Sequence, residues 1–266
     1  MLLKKLISAD VLAPAIVGLV VLIGWDLLVR VTGLPPYLLP GPLLVLSTLV
    51  ENSGELLASL WVTFQIALFA FLAAAVSGLA IAVLFTLDRW IERSLYPYAV
   101  ILQTTPLVAI APLIIIWLKD NTFAALVLCA WIAAFFPVVA NTTLGLNSVD
   151  RNLNNLFKLY NASPWQRLIY LRLPSTLPYY LGGLRISGGL SLIGAVVAEF
   201  VAGSGGGGKS GIAYQILIAS FNLQIPKMFA ALLLVTLLGV AVFAALSALS
   251  HWLLKDWHES ATRPEG

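Results

Sequence analysis

Long apolar runs constrain the fold of this chain more than any other feature. The runs that are long enough to cross a lipid bilayer cover about residues 12–30, 62–87, 96–118, 122–142, 186–203 and 228–253. One crossing takes roughly 20 apolar residues as an α-helix, and these runs are too uniformly apolar for the alternating pattern of a membrane β-barrel strand. We therefore predict an all-α, polytopic membrane protein with about six transmembrane helices.

Charged residues are scarce and unevenly placed along the chain. They make up 10% of the 266 residues, and the mean hydropathy is +0.96, which excludes an ordinary soluble domain. If the amino terminus is cytoplasmic, the inner side holds 11 of the 15 basic residues: Lys4, Lys5, Arg89, Arg93, Arg151, Lys158, Arg167, Arg172, Arg185, Lys255 and Arg263. The outer side then holds only Arg30, Lys119, Lys209 and Lys227. This asymmetry predicts that both termini are cytoplasmic.

The chain divides into three segments, none of which is a soluble catalytic domain. Residues 1–60 are the predicted first transmembrane helix and an outer-surface segment, 61–257 the membrane core, and 258–266 an inner tail. The largest piece outside the membrane is the inner loop 143–185, close to the size, about 40 residues, below which a domain rarely folds alone. We therefore expect this loop to act against another protein.

The first part of the inner loop has the pattern of a short amphipathic helix. Its apolar residues recur with helical spacing at Leu153, Leu156, Phe157 and Tyr160. The remaining positions are mostly Asn, Arg and Lys, so one apolar stripe faces one way. An interfacial helix resting on lipid headgroups, with its arginines on phosphates, is the alternative interpretation.

A second helix is predicted to follow directly. Ser163 suits the N-cap, Pro164 the first helical position, and Gln166 the partner position of a capping box. The helix should stop before Pro174, because the residue that precedes a proline is pushed out of the helical region. The loop is thus predicted to be a helix–break–helix unit.

The spacing around this break resembles that of a known family. Asn161, nine residues, Leu171, one residue and Leu173-Pro174 resembles the EAA loop of ABC importer permeases of the binding-protein-dependent type I. The flanking ASPWQ and LPSTLPYYLGGLRISGGL, the VVAEF that contains Glu199, and the upstream LYPYAVILQTTPLVAIAPLIIIWL are similar to the nitrate/sulfonate/taurine branch. The resemblance covers most of residues 35–257 and implies the type I permease fold, with 61–257 as the permease core.

In that family the loop is the coupling helix, which contacts a separate ATP-hydrolysing subunit. The resemblance implies that this contact uses Asn155, Leu156, Phe157, Lys158, Tyr160, Asn161, Ala162, Ser163, Pro164 and Arg167. Two departures stand out, since Asn155, Leu156 and Phe157 replace the usual Glu-Ala-Ala and Asn161 replaces a glycine. Asn tolerates the left-handed conformation better than most residues, so we expect the break to survive and the interface to be more apolar.

The resemblance also implies the partners. They are a second permease copy in a homodimer, two ATP-binding subunits, an outer periplasmic or lipid-anchored solute-binding protein and membrane lipid, with no nucleic acid. ATP and Mg would be bound by the partner ATPase, so this chain is expected to carry no cofactor or metal and not to be an enzyme. The solute would be a small anion such as nitrate, sulfonate or taurine, or a small heterocycle. The alternative is a stand-alone, ion-coupled secondary transporter with Glu199 as its proton site.

Four polar residues in the apolar runs are candidates for a translocation pathway. Gln103, Thr104 and Thr105 precede Pro106, and irregular backbone at membrane depth is tolerated where it lines a cavity or is packed in protein. Contact between helices is the alternative for these three residues. A carboxylate such as Glu199 is costly in the membrane, and it is expected either to line the pathway or to bond to a neighbouring helix. No catalytic constellation is apparent in the sequence.

The segment GSGGGGKS at 203–210 matches the P-loop pattern at every fixed position. A P-loop needs a strand before it and a helix after it within an α/β domain, whereas this segment follows an apolar run. We therefore interpret it as a glycine-rich turn on the outer side, before a helix GIAYQILIASF, and not as a nucleotide site.

Overall fold

The computed structural model describes residues 9–203 and 210–255, and this part of the chain is α-helical without β-strands. Its helices are α1 Ala9–Thr32, α2 Pro42–Glu51, α3 Ser53–Leu87, α4 Arg89–Thr104, α5 Leu107–Trp117, α6 Thr122–Asn147, α7 Arg151–Leu159, α8 Pro164–Arg167, α9 Leu173–Ala202, α10 Ile212–Phe221 and α11 Ile225–Leu254. Within the described residues, five helical segments are long and apolar enough to span a membrane, or six if a bent pair is counted as one span. The predicted all-α membrane protein is confirmed.

The third predicted span is broken in the structure. The helices α4 and α5 meet at an angle of 98° over a short break. Thr105 ends α4 in an extended conformation, with ψ of 124°, because the ring of Pro106 excludes the helical region for the preceding residue. The run 96–118 is therefore two half-helices rather than one straight span.

Helices α3, α6 and α9 form the centre of the fold and pack on one another closely. A Cβ atom added to Gly194 of α9 would lie 2.9 Å from Ala130 Cα of α6, and one added to Gly78 of α3 would lie 2.7 Å from Val138 Cβ. Such small residues let helix backbones approach, which is how apolar helices gain packing energy within lipid. Ser187 Oγ adds a hydrogen bond across the interface to the Ala134 carbonyl at 2.8 Å.

A second cluster joins α2, α3, α10 and α11. Its buried residues are Val45, Leu56, Ile212, Ile216, Ala230, Ala231 and Leu234. At the same end of α3, Lys227 Nζ of α11 lies 2.7 Å from Glu55 Oε2. Helix α1 is peripheral, and none of its residues from Leu12 onward is buried. The predicted division at residue 60 falls within α3, which packs with both the core helices and α10.

Candidate functional site

Helix α7 presents an apolar stripe that the described residues leave uncovered. The Asp150 carboxylate accepts hydrogen bonds from the N–H groups of Asn152 at 2.7 Å and Leu153 at 3.1 Å, so the helix begins at Arg151 with a capped end. No residue of α7, all of which the structure describes, is buried. An exposed apolar stripe on a capped helix is typical of a protein or membrane interaction surface.

The break after α7 is a left-handed turn at Asn161. The φ angle of Asn161 is +53°. The Ala162 N–H donates to the Phe157 carbonyl at 2.9 Å, and the Asn161 N–H donates to the Lys158 carbonyl at 3.0 Å. This pair of hydrogen bonds is the Schellman motif, which satisfies carbonyls at a helix end. The prediction that the break between the two helices survives with Asn161 at this position is confirmed.

Helix α8 begins with the predicted capping box. The Gln166 N–H donates to Ser163 Oγ at 3.2 Å, and the Ser163 N–H donates to Gln166 Oε1 at 2.8 Å. Both ends of the break are therefore held by local hydrogen bonds, and the angle between α7 and α8 is set within residues 157–166.

The prediction that this helix stops before Pro174 is wrong. A π-helical turn, Leu168–Arg172, joins α8 to α9, and the Leu173 N–H donates to the carbonyl of Leu168. A proline inside an α-helix clashes with the carbonyl four residues earlier, and the extra residue of a π turn changes the local register. The chain therefore runs as one helical rod from Pro164 to Ala202, and the loop is joined to the membrane core without a flexible link.

A groove of about 410 Å³ lies between α7 and the α8 rod. It is lined by Leu156, Phe157, Tyr160, Ala162, Gln166 and Tyr170. Asn155 and Lys158 are exposed beside it, and Arg167 is half-buried. Every charged residue from 151 to 172 is basic. The surface is thus an apolar groove with a basic surround, and the structure brings the predicted coupling residues together along one hinge.

The predicted pathway residues on α4 lie at the break before α5. Gln103 and Thr104 are exposed, and Thr105 is half-buried. The hydroxyls of Thr104 and Thr105 both donate to the Ile101 carbonyl, at 3.1 and 2.7 Å. Helix ends inside a membrane leave backbone N–H and C=O groups that can face polar cargo. This geometry is compatible with a pathway, and the assignment stays a prediction.

Glu199 lies near the carboxy-terminal end of α9. Glu199 is 3% exposed, and its carboxylate accepts hydrogen bonds from the Thr63 hydroxyl at 2.7 Å and from the Ala213 N–H at 3.0 Å. Among the hydrogen bonds of the described residues, none connects Glu199 to Gln103, Thr104 or Thr105. Its role in the pathway also stays a prediction.

Sequence reasoning missed the partners of Glu199. Thr63 lies on α3 and, with Ser59 one turn away, is buried among apolar residues. Gln215 Nε2 of α10 donates to Ser59 Oγ at 3.3 Å. Two hydroxyls at i and i+4 in an apolar run form a polar patch on one helix face, and this spacing was the available signal.

Several sequence predictions fall outside the described residues. Most of the P-loop-like segment, 204–209, is among them, together with Lys4, Lys5 and the predicted tail 258–266. The helix that was predicted to follow the glycines is confirmed as α10, Ile212–Phe221.

Comparison with known proteins agrees with this geometry. The family model described as "Binding-protein-dependent transport system inner membrane component" matches residues 71–255. The formylaminopyrimidine transport permease protein ThiX of Halalkalibacterium halodurans is 32% identical over 93% of this chain and 96% of its own length. The putative aliphatic sulfonates transport permease protein SsuC of Bacillus subtilis is 33% identical over 84% of this chain and 79% of its own.

A solved structure supports the same fold. The crystal structure of an amino acid ABC transporter with histidines contains a chain that matches with a TM-score of 0.63 and 18% identity, covering 76% of this chain and 96% of that one. The region that the family model matches, residues 71–255, includes α6, the hinge, α9 and α10. The resemblance inferred from the loop is therefore confirmed, and the chain belongs to the inner membrane components of binding-protein-dependent transport systems, the permeases of ABC importers.

Proposed function

We propose that this chain is the membrane-spanning subunit of an ATP-driven importer of a small solute. Two copies form one pathway, an outer solute-binding protein delivers the solute, and two ATP-hydrolysing subunits dock on the 143–185 loops. ATP and Mg are bound by those subunits, and this chain carries neither. The hinged, exposed groove of α7 and α8 is the observation that carries this proposal.

The hinge suits transmission of force. The helix α8 continues through the π turn into α9, and α9 packs along α6 and α3 in the membrane core. A displacement of α7 by a docked ATPase therefore acts on a rigid rod that ends in the core. Closure of the ATPase pair would tilt this rod and alternate the core between inward-open and outward-open states.

The docked partner should insert an apolar side chain into the groove and carry acidic residues around it. The groove is lined by Leu156, Phe157 and Tyr160 among others, while residues 151–172 carry four basic residues and no acid. Buried apolar contacts supply most of the affinity, and charges at the rim steer the encounter. This follows from the replacement of the usual Glu-Ala-Ala by Asn155, Leu156 and Phe157.

We place the loop on the cytoplasmic side, together with both termini, because of the excess of Lys and Arg on that side. A cysteine introduced at exposed Tyr160 should react with a membrane-impermeant maleimide only in inverted vesicles, in a Cys129→Ser background. A matched cysteine at exposed Leu223, in the turn between α10 and α11, should react in right-side-out vesicles. The reverse pattern would overturn this orientation.

The solute class follows from the relatives and from the α4–α5 break. ThiX is named for a formylaminopyrimidine and SsuC for aliphatic sulfonates, so we propose a small heterocycle or a small organic or inorganic anion. Gln103, Thr104 and Thr105 would line the path at the half-helix ends. Calorimetric titration of the proposed solute-binding protein with both classes of compound would identify the solute.

Reconstitution separates this function from a stand-alone transporter. Proteoliposomes that contain this chain, the ATPase and the binding protein should take up the identified solute only when ATP is present inside the vesicles. Proteoliposomes with this chain alone should show no uptake under a proton or sodium gradient. Gradient-driven uptake by the chain alone would overturn the proposal and favour the ion-coupled alternative.

A further inference from the structure

The short helix α10 has no N-terminal capping side chain of its own. Its N-cap residue is Gly211, and no side chain at that position accepts a hydrogen bond. The first N–H groups of any helix lack partners within the helix, and an unsatisfied backbone group is costly in an apolar environment. The start of α10 is buried, since Ile212 and Ala213 are both fully enclosed. These N–H groups therefore need partners from elsewhere in the fold.

Two other helices supply those partners. The Ile212 N–H donates to Thr63 Oγ1 of α3 at 2.9 Å, and the Ala213 N–H donates to Glu199 Oε2 of α9 at 3.0 Å. Thr63 Oγ1 in turn donates to Glu199 Oε1 at 2.7 Å. A carboxylate at a helix N-terminus is also favoured by the helix dipole. One polar cluster thus joins the consecutive helices α9 and α10 to α3, whose Thr63 lies 136 residues before Glu199.

Gly211 is matched to this cluster by size. A Cβ atom added at residue 211 would overlap the Glu199 carboxyl group. The backbone of Gly211 has φ of −77° and ψ of 179°, which any residue adopts, so the requirement for glycine is the space that the carboxylate occupies. A second contact, from Gln215 to Ser59 at 3.3 Å, aligns α10 along the same face of α3.

We propose that Glu199 is a positioning residue that, with Thr63, caps α10 from α9 and α3 and joins these three helices into one body. The carboxylate is committed to α10 and does not contact the solute. In the proposed importer, on which only this consequence rests, α10 then moves with α3 and α9 when the pathway opens.

Hydrogen exchange of the full chain in lipid nanodiscs tests the cap directly. In Glu199→Ala, the Ala213 amide should exchange roughly ten- to hundredfold faster, as expected when a hydrogen bond to a charged group is lost. In Thr63→Ala, the Ile212 amide should exchange roughly two- to tenfold faster, because the lost acceptor is a neutral hydroxyl. Thr63→Ser keeps the hydroxyl and should retain protection. Thr236→Ala is the matched control, because that exposed hydroxyl donates only within its own helix, to the Leu232 carbonyl.

A second experiment tests the match between the two residues. Gly211→Ala should speed exchange at the start of α10 when Glu199 is present, and should have no further effect in a Glu199→Ala background, where the added methyl group has space. Additive effects of the two substitutions, or unchanged exchange at 212–215 in both Glu199→Ala and Thr63→Ala, would overturn the proposal. Neither readout needs the ATPase or a solute, so the outcome is independent of the proposed function.

Discussion

The left-handed turn at Asn161 allows a graded test of how the loop geometry supports docking. Asn161 has φ of +53° and donates its N–H to the Lys158 carbonyl at 3.0 Å. Glycine adopts this conformation without steric cost, so Asn161→Gly should preserve the hinge. Alanine pays about 1–2 kcal/mol for the left-handed region, part of which Asn already pays. Asn161→Ala should therefore cost up to about 1 kcal/mol, which is about fivefold in an equilibrium constant.

Proline is incompatible with the turn for two reasons. Its ring holds φ near −65°, more than roughly 100° away from the observed angle, and it has no N–H for the Lys158 carbonyl. Asn161→Pro should therefore change the direction in which α7 leaves α8. It should abolish coupling rather than weaken it.

The assay is the affinity of the nanodisc-embedded chain for the ATPase subunit, together with ATP hydrolysis stimulated by the loaded binding protein. Wild type and Asn161→Gly should bind the ATPase with equal affinity, and Asn161→Ala should bind it up to about fivefold more weakly. Asn161→Pro should show neither assembly with the ATPase nor stimulated ATP hydrolysis. Thermal unfolding of each variant checks that the membrane core is intact. Normal stimulated hydrolysis in Asn161→Pro would refute the placement of the hinge.

Three further predictions concern packing and charge. Leu156→Ala should weaken ATPase binding by about 1 kcal/mol, since Leu156 is 46% exposed and this exposed part of the side chain would be buried on docking. The control Leu57→Ala, also at an exposed leucine, should leave ATPase binding unchanged; an equal loss of affinity in both variants would contradict the docking surface. Gly194→Ala should lower the free energy of unfolding by about 1–3 kcal/mol through overpacking. Gly189→Ala should leave it unchanged, because the space around its Cβ position is open; equal melting temperatures of the two variants would contradict the close contact of α9 and α6. A double-mutant cycle of Glu55→Ala and Lys227→Ala should give a coupling free energy below about 1 kcal/mol, because the Glu55 side chain is 52% exposed. A larger value would contradict the exposure of this ion pair to solvent.

The parts of the loop that sequence reasoning predicted correctly all depend on short-range interactions. The capping box at Ser163 and Gln166, the left-handed turn at Asn161 and the stripe on α7 each involve residues within a few positions of one another. Backbone sterics and side-chain capping at that range are the same in most folds. Local sequence was therefore sufficient for them.

The errors and omissions arose where local rules compete with the rest of the chain. Pro174 has the local signature of a helix end, yet a π turn carries the helix past it. The polar residues before Pro106 were recognised, but the 98° angle between α4 and α5 depends on what those half-helices pack against. Packing of α9 along α6 over its whole length outweighs the local penalty of a proline, because many small contacts add.

The sequence by itself determined that the chain is an all-α membrane protein, that the loop 143–185 is hinged at Asn161, and that this loop is basic and apolar. These properties follow from hydropathy, charge distribution and the conformational preferences of single residues. Only the tertiary structure decided what Glu199 contacts. Its hydrogen-bond partner Thr63 is 136 residues away in sequence, and a buried carboxylate takes whichever donors the packed helices bring to it. That choice depends on how α3, α9 and α10 pack together, which no local pattern encodes.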